Sequence, residues 1–486
     1  MLTKNHALPG QKAKVLSESG IARIHDKVLE TLEKIGCDFQ DESALEIFRS
    51  NKGASVEGSR VRFTPKLVEW AIEQAPGKFT LRARNPENDL PLGVGQIYYT
   101  SAFGATFICD REQKTYRKAL LDDAADYFLL ADKLENVHYV LTAIIPQDMP
   151  VELAEMYIAA LQFSNSEKHA DIGTPNSDYV DEIWEMGQLV AEASGVEGPL
   201  YSLGCTINSP LVYTHEALPK LIHAAKRNIP FKPVSGTLAG ALSPVTLAGT
   251  LVVQNAEILA GLILSQLVNP GCPIEYGTFS GGMDMRTGKW GAGRPEMSLI
   301  TGASAQFCEL YDIPFGYGTG GVSDSRVPDV RAGFEKGLQN MAAALCGVEV
   351  IHDGVSGLLG GLMAISFEQM IIDNEIAKWV NHFLRGIPVD EDALAMDVIT
   401  NVGPGGHVLE QEHTVKNFKK EHLISPLLSS EYQLEYPASE SEDIVFQAGE
   451  RAQEILDNHR PTELDPTAKK GIQAILTRLG GERILF

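Results

Sequence analysis

The stretch from Ile313 to His352, IPFGYGTGGVSDSRVPDVRAGFEKGLQNMAAALCGVEVIH, decides how the chain is read. It begins with a short apolar run, Ile313–Tyr317, which predicts a strand. A polar, glycine-rich loop follows over Gly318–Asp329, then a helix over Val330–Cys346 and a second strand over Val348–His352. This is a β-loop-α-β unit with a long loop. Such loops lie at the carboxyl ends of strands, free of core packing, and are where ligands meet side chains. The loop carries Asp324, Arg326 and Val327, and the second strand ends on His352.

Working outward, the same alternation recurs. Seven further apolar segments behave as strands: Ile97–Phe103, Tyr139–Ile145, His169–Thr174, Leu200–Thr206, Phe231–Ser235, Pro273–Phe279 and, overlapping the opening stretch, Glu349–His352, with Ile313–Gly318 as the eighth. The gaps between them hold helix-compatible runs long enough for parallel crossovers. Eight units predict an α/β fold, a TIM (β/α)8 barrel over residues 91–386. A doubly wound sheet is the alternative, since pattern alone does not show closure.

Residues 1–90 predict an α-rich region. LSESGIARIHDKVLETLEKIG has helical apolar spacing with Ser17 or Ser19 as caps, and FTPKLVEWAIEQAP places Pro65 in a first turn. Ser59–Phe63 and Phe79–Arg82 are expected to pair as a small hairpin, and NPENDLPLG to be a loop. Residues 387–486 predict four helices that cap the barrel or serve an oligomer interface.

The chain has 486 residues, 44% hydrophobic and 22% charged, as in an ordinary globular protein, and a net charge of −23. That charge argues against nucleic-acid and anionic-membrane partners. The apolar segment Leu247–Val268 is broken by Gln254, Asn255, Glu257 and Gln266, so a buried helix is expected and not a membrane span. The first residues lack the apolar core of a secretory signal. Six scattered cysteines without CxxC spacing fit reduced thiols, and a cytoplasmic location is expected.

Several motifs fail their tests. GYGTGG at 316–321 matches GxGxxG but does not lead directly into a helix, so a dinucleotide site is disfavoured. His407, Glu410 and His413 lack zinc-site spacing, no GxSxG elbow occurs, and no metal is expected. What gathers at predicted strand ends is aromatic: Tyr98, Phe103, Tyr276, Phe279 and Tyr317, with Asp284 and Glu296 in a following loop. Aromatic faces with a few carboxylates suit a quaternary ammonium, because ring quadrupoles attract a diffuse cation that donates no hydrogen bond.

PVTLAGTLVVQNAEILAGLILSQLVNPGCPIEYG (Pro244–Gly277), SGGMDMRTGKWGAGRPEM (Ser280–Met297) and GGVSDSRVPDVRAGFEKG (Gly320–Gly337) resemble the trimethylamine methyltransferase family of corrinoid-dependent enzymes. ICDREQKTYRKALLDDAADY near Ile108 and GPGGHVLEQEHT near Gly403 extend the likeness over most of the chain. The resemblance implies a TIM barrel and transfer of a methyl group from a methylammonium substrate to Co(I) of a separate corrinoid protein. No cofactor is expected to be tightly held by this chain.

Archaeal trimethylamine enzymes of the family carry pyrrolysine in the loop after the seventh strand, and the matching position here is Val327. Members without pyrrolysine include demethylases of glycine betaine, proline betaine and carnitine. A tertiary amine would have to expel an amide anion, whereas a quaternary ammonium already has a neutral amine as leaving group. Such a substrate needs orientation and desolvation more than acid catalysis.

The expected site follows. Tyr98, Phe103, Tyr276, Phe279 and Tyr317 line the cationic head. Asp284, Glu296 or Asp324 add negative charge, His352 or Arg326 hold a substrate carboxylate, and Val327 forms a wall. Glu296, Asp324 and His352 are the candidates closest to the chemistry. The expected partners are a quaternary amine, with glycine betaine first, a corrinoid protein and further copies of the chain. The competing readings are another TIM-barrel enzyme, a lyase or oxidoreductase, and a non-catalytic betaine binder.

Overall fold

The computed structural model describes residues 12–110, 113–173, 177–428 and 443–486, and the backbone of a short strand, Asn5–His6. Eight parallel strands form the centre: β1 (Gln96–Tyr99), β2 (Tyr139–Leu141), β3 (His169–Ile172), β4 (Tyr201–Ile207), β5 (Phe231–Ser235), β6 (Tyr276–Thr278), β7 (Phe315–Thr319) and β8 (Val350–His352). Their hydrogen-bonded order runs β1-β8-β7-β6-β5-β4-β3-β2. Parallel bridges Thr100↔Tyr139 and Ala105↔Ile144 bring β1 and β2 together, so the sheet curls nearly into a closed barrel. Each expected strand overlaps an observed one.

A helix follows every strand: α1 (Leu121–Lys133), α2 (Val151–Asn165), α3 (Val180–Ser194), α4 (Ala217–Arg227), α5 (Leu247–Val268), α6 (Pro295–Tyr311), α7 (Val330–Leu345) and α8 (Phe367–Leu384). Among them α5 is apolar nearly all round, and by length and composition it could cross a membrane. The fold supplies another reason. One face of α5 packs on β5 while the N-terminal helices Glu18–Lys34 and Pro65–Gln74 cover the other, so most of its surface is buried in protein.

The N-terminal helices start where their caps predict. Ser17 Oγ accepts from Gly20 N at 3.1 Å, and Asp41 Oδ1 from Ala44 N at 3.0 Å. The expected hairpin is corrected. Arg60–Phe63 pairs with Ala54–Glu57, while Phe79–Leu81 pairs with Leu90–Leu92, the segment read as a loop. The second hairpin matters most, because its Leu81, Leu90 and Leu92 pack against Tyr98, Tyr139, Leu141 and Val350. It plugs the amino-terminal end of the barrel, and a division at residue 90 falls inside it.

At the other end of the chain, helices Ile444–Asn458 and Pro466–Arg478 return to the barrel, the first onto α8 and α1, the second onto α3 and α2. Among the described residues between them and α8 lie three shorter helices, Glu391–Leu394, Met396–Val402 and Glu412–Glu421. The expected helix EDALAMDVITNVG is therefore two, separated at Ala395, whose φ is +50°.

Candidate active site

With one end plugged, a pocket of about 150 Å³ sits in the bore toward the carboxyl ends of the strands. Phe103, Phe279 and Tyr317 supply its aromatic wall, with Leu141, Val234 and Leu362 between them, and Asp171 and Lys232 at its polar side. The pocket adjoins a larger cleft of about 440 Å³ that shares Phe103, Gly173 and Thr206 and carries Asn208 and Lys220.

Two glycines seat the rings. A Cβ on Gly173, just after β3, would stand 2.2 Å from Cε2 of Phe103; one on Gly236, just after β5, would stand 2.1 Å from Cζ of Phe279. Each ring thus lies directly on backbone, a placement any side chain would forbid. The Phe279 ring is also braced by Trp290 and Tyr317, with ring centroids 6.3 and 6.2 Å away.

Under the aromatic wall lies a charged cluster that the sequence reading missed. Lys232 Nζ is 2.9 Å from Asp171 Oδ2 and 3.3 Å from Glu275 Oε1, and donates to Ser202 Oγ at 3.0 Å. All three charged side chains are buried. Burial would lower the Lys232 pKa, but Asp171 and then Glu275 outweigh it and hold the ammonium above its usual value. Burial pushes Glu275 up, opposed by Lys232 and reinforced by Asp171. Two carboxylates facing one ammonium leave an excess negative charge, and Glu275 holds its proton more tightly as a result. The Oε2 atom of Glu275 is buried without a hydrogen-bond partner.

A signal for this cluster was present. HADI, FKPVS and PIEYG each place one charge inside a short strand otherwise free of charged residues. Strands of a parallel barrel are buried on both faces, so a lone charge there must find partners in the bore.

The expected aromatic set is split by the fold. Phe103, Phe279 and Tyr317 meet, but Tyr98 and Tyr276 lie elsewhere. Tyr98 belongs to the plugged end, its hydroxyl donating to Gln96 Oε1 at 2.6 Å with Pro91 O 3.0 Å away. Tyr276 turns out of the bore into the helical layer, where its hydroxyl donates to Asn255 Oδ1 at 3.0 Å and accepts from Gln254 Nε2 at 2.8 Å. Alternation along the strand does this, since Glu275 and Phe279 face the bore while Tyr276 and Thr278 both meet Gln254.

The polar candidates scatter as well. Asp284 binds Arg294 and accepts from Arg286 N at 2.9 Å. That backbone hydrogen bond, with the arginines, draws its pKa down to about 2, so Asp284 anchors its own hairpin. Asp324 accepts from Ala292 N at 3.2 Å and Gly293 N at 3.4 Å, tying the loop after β7 to the one before α6. Glu296 lies in the first turn of α6 beside Gly282, and its buried Oε2 has no hydrogen-bond partner.

His352 is wholly buried and stacked face to face on Tyr317, with Nδ1 3.1 Å from Asp353 Oδ2. Tyr317 is on the pocket wall and His352 is not among its lining residues. Asp353 adopts φ +59°, and its N–H donates to Thr100 Oγ1 at 3.0 Å. Arg326 and Val327 line a different cavity of about 500 Å³ outside the bore, with Cys109, Tyr116 and Glu368. Val327 is 48% exposed there and is no wall of the aromatic pocket.

The trimethylamine methyltransferase (MTTB) family model matches residues 4–481. A glycine betaine methyltransferase of Desulfitobacterium hafniense (strain Y51) is 38% identical over 97% of this chain and 98% of its own length. The trimethylamine methyltransferase MttB of D. hafniense (strain DSM 10664 / DCB-2) is 32% identical over 95% of this chain and 92% of its own. MttB of Methanosarcina barkeri is 30% identical over 97% and 96%. The crystal structure of the M. barkeri monomethylamine methyltransferase aligns at a TM-score of 0.49 and 10% identity, covering 97% of this chain and 90% of that one. That likeness is too loose to carry weight, and the barrel rests on its own strand register. With relatives matched from end to end, the chain belongs to the trimethylamine methyltransferase family and is a methyltransferase.

Proposed function

We propose that this methyltransferase takes a methyl group from a quaternary ammonium compound, glycine betaine first among the betaines, and passes it to Co(I) of a corrinoid on a separate protein in the cytoplasm. The observation that carries the reading is the pocket of Phe103, Phe279 and Tyr317 over the Asp171–Lys232–Glu275 cluster. Rings attract a cation that cannot donate hydrogen bonds, and the excess negative charge beneath them offsets its desolvation. The 38% identity to a glycine betaine methyltransferase supports the same substrate class.

In the transfer, the Co(I) electron pair forms a bond to one methyl carbon as the carbon–nitrogen bond breaks. The nitrogen keeps that bond's electron pair and departs as a neutral tertiary amine, so no proton moves and no side chain acts as acid. The chain's task is orientation and exclusion of water. Thr206, Asn208 and Lys220 in the adjoining cleft suit the carboxylate end of a betaine.

The test is methylation of free cob(I)alamin by the purified protein with a panel of quaternary amines, trimethylamine and no amine. Methylcobalamin formed with a betaine and not with trimethylamine is the expected result. Binding without turnover would turn the assignment to a betaine-binding protein, and silence toward every quaternary amine would overturn it.

A further inference from the structure

Outside the bore, Glu257 is a fully buried carboxyl group on α5 with no cation acting on it. Its Oε2 accepts from Ser235 Oγ at 2.5 Å and from Ser209 Oγ at 3.0 Å, and its Oε1 from Leu211 N at 2.9 Å. Burial penalises the charged form, and these three neutral donors are what offsets it. The Cys37 thiol and the Tyr213 hydroxyl also feel the Glu257 charge, and neither supplies a positive one.

The three donors belong to two walls of the candidate site. Ser235 is the last residue of β5. Its carbonyl accepts from Phe279 N at 3.0 Å and from Ser280 Oγ at 3.2 Å, and the next residue, Gly236, is the floor on which the Phe279 ring lies. Ser209 and Leu211 belong to the turn after β4, which is closed by Asn208 N to Val212 O and by Val212 N to Asn208 O, both at 3.0 Å. Asn208 opens that turn and is exposed on the wall of the cleft, between Thr206 before it and Thr214 after it. Behind the barrel wall, Glu257 thus spans from the seat of the aromatic pocket to the turn that carries Asn208.

The turn is held in a costly conformation. Leu211 adopts φ +64°, in the left-handed region that a bulky side chain avoids. On the outer side Asp38 N donates to Leu211 O at 2.8 Å, and on the inner side the Glu257 carboxylate takes the Leu211 N–H. Just beyond, the Tyr213 hydroxyl donates to Glu257 O at 2.8 Å and fixes the end of the turn to α5. A buried carboxyl without a cation and a leucine in a strained conformation meet at one turn, and the exposed residue of that turn faces the cleft. Strain of this kind persists where the surroundings over-determine it, and it gathers at sites that position a ligand.

We propose that Glu257 is a positioning residue that sets substrate specificity, a role that rests on the proposed transfer from a betaine: it holds Asn208 at a fixed distance from the Phe279 ring, so that a donor is selected by the spacing between its ammonium head and its carboxylate. Glu257 touches neither end of the substrate. The Asn208 amide donates to the carboxylate, and the rings receive the head. A donor with the same head and no carboxylate makes no use of the spacing, which separates this role from a general contribution to stability.

The experiment measures kcat and KM for methyl transfer to free cob(I)alamin with two compounds. One is the betaine that the wild type uses best among the quaternary amines, glycine betaine being expected. The other is tetramethylammonium, read as a donor or, where it is not turned over, as a competitive inhibitor. Glu257→Gln keeps the side-chain volume but offers one accepting oxygen to three donors. It should raise KM for the betaine about tenfold, with kcat and the constant for tetramethylammonium within about twofold of wild type. Asn208→Ala should show the same selective loss, and the double variant no more than the larger single one, since both act through one contact. If Glu257→Gln does not fold, Ser209→Ala is read in its place. It removes one hydroxyl and leaves the carboxylate, and the same selective rise is expected at about threefold. Equal losses with both compounds would assign Glu257 to stability alone, and unchanged constants would leave the turn without a part in binding. Either result overturns the proposal while methyl transfer stands. A wild type that draws a methyl group from no quaternary amine overturns the proposed function and this role with it.

Discussion

Lys232 and Asp171 form an ion pair of 2.9 Å within the bore of the barrel, directly beside the aromatic pocket. The pair is incomplete as a charge balance, since Glu275 adds a second carboxylate at 3.3 Å from the same ammonium. A bound quaternary cation supplies the missing positive charge. Glu275→Gln removes the surplus carboxylate but keeps a hydrogen-bonding group, and should raise the KM for a betaine about tenfold, or about 1.4 kcal/mol. Lys232→Met strands two buried carboxylates and should cost about 3–5 kcal/mol of stability, read by urea unfolding.

The same cluster makes binding depend on pH. Burial holds the proton on Glu275 above the ordinary carboxylate range, and a cation in the pocket favours the ionised form. Affinity for a quaternary amine should therefore rise with pH until Glu275 is ionised in the free protein. The charged groups that act on it are Lys232 and Asp171, and Glu349 lies close enough to feel its charge. Calorimetry in two buffers of different ionisation enthalpy should detect proton release on binding. In Glu275→Gln that release should vanish.

Phe103 and Phe279 should matter far more than Val327. Removing either ring forfeits a cation–π contact worth about 0.5–2 kcal/mol, so Phe279→Ala or Phe103→Ala should raise KM by roughly two- to thirtyfold. Gly236→Ala and Gly173→Ala should have like effects without touching substrate, because the new methyl displaces the ring that lies on it. Val327→Ala, on the outside of the barrel, should leave kinetics within about twofold. Equal losses at Val327 and Phe279 would place the substrate in the outer cavity.

Much of this architecture could be read from the chain, because each strand is a short apolar run separated by a helical pattern. Side-chain direction was harder. Tyr276 and Tyr317 both stand on barrel strands, yet Tyr276 alternates outward, while on β7 Gly316 is skipped in the pairing and Tyr317 faces the bore. Tyr98 looked like a mouth residue because pattern does not say where a bore is plugged; the Leu81–Leu90 hairpin decides that through tertiary packing. Asp171 and Lys232 lie on β3 and β5 and Glu275 just before β6, spread over a hundred residues, and only the curling of the sheet makes them neighbours.

Glu257 and Glu349 give stability a component that falls as pH rises from about 4.5 to about 7. Burial pushes both up to about 7 although each accepts hydrogen bonds, Glu257 from Ser209, Ser235 and Leu211 N, Glu349 from Gly93 N and Val94 N. A carboxyl whose folded pKa is raised favours the folded state fully below its unfolded value, and that contribution is lost as pH climbs through the folded value. His169 and His223, lowered to about 4 chiefly by burial, act in the opposite sense. Their contribution is present above about 6.5 and lost toward pH 4. Glu257→Gln isolates the first effect: unfolding free energies measured between pH 4.5 and 7 should lose a slope of up to about 1.4 kcal/mol per pH unit.

A second buried pair fixes the loops above the bore. Lys336 Nζ donates to Gly321 O at 2.7 Å and to Asp373 Oδ2 at 2.7 Å, with both side chains fully buried. The same Asp373 oxygen accepts from Ser356 N at 3.2 Å and Gly357 N at 2.8 Å. The pair thus ties the loop after β7 to the loop after β8. Lys336→Met should destabilise by about 3–5 kcal/mol, because Asp373 is left charged and buried. Adding Asp373→Leu removes that charge, and for an isolated pair the double change would restore stability. Here it leaves the Ser356 and Gly357 N–H groups without acceptors, at about 1–3 kcal/mol each. The double variant should therefore recover only part of the loss. Full recovery in urea unfolding would show that Asp373 acts as a partner of Lys336 alone and does not hold the loop.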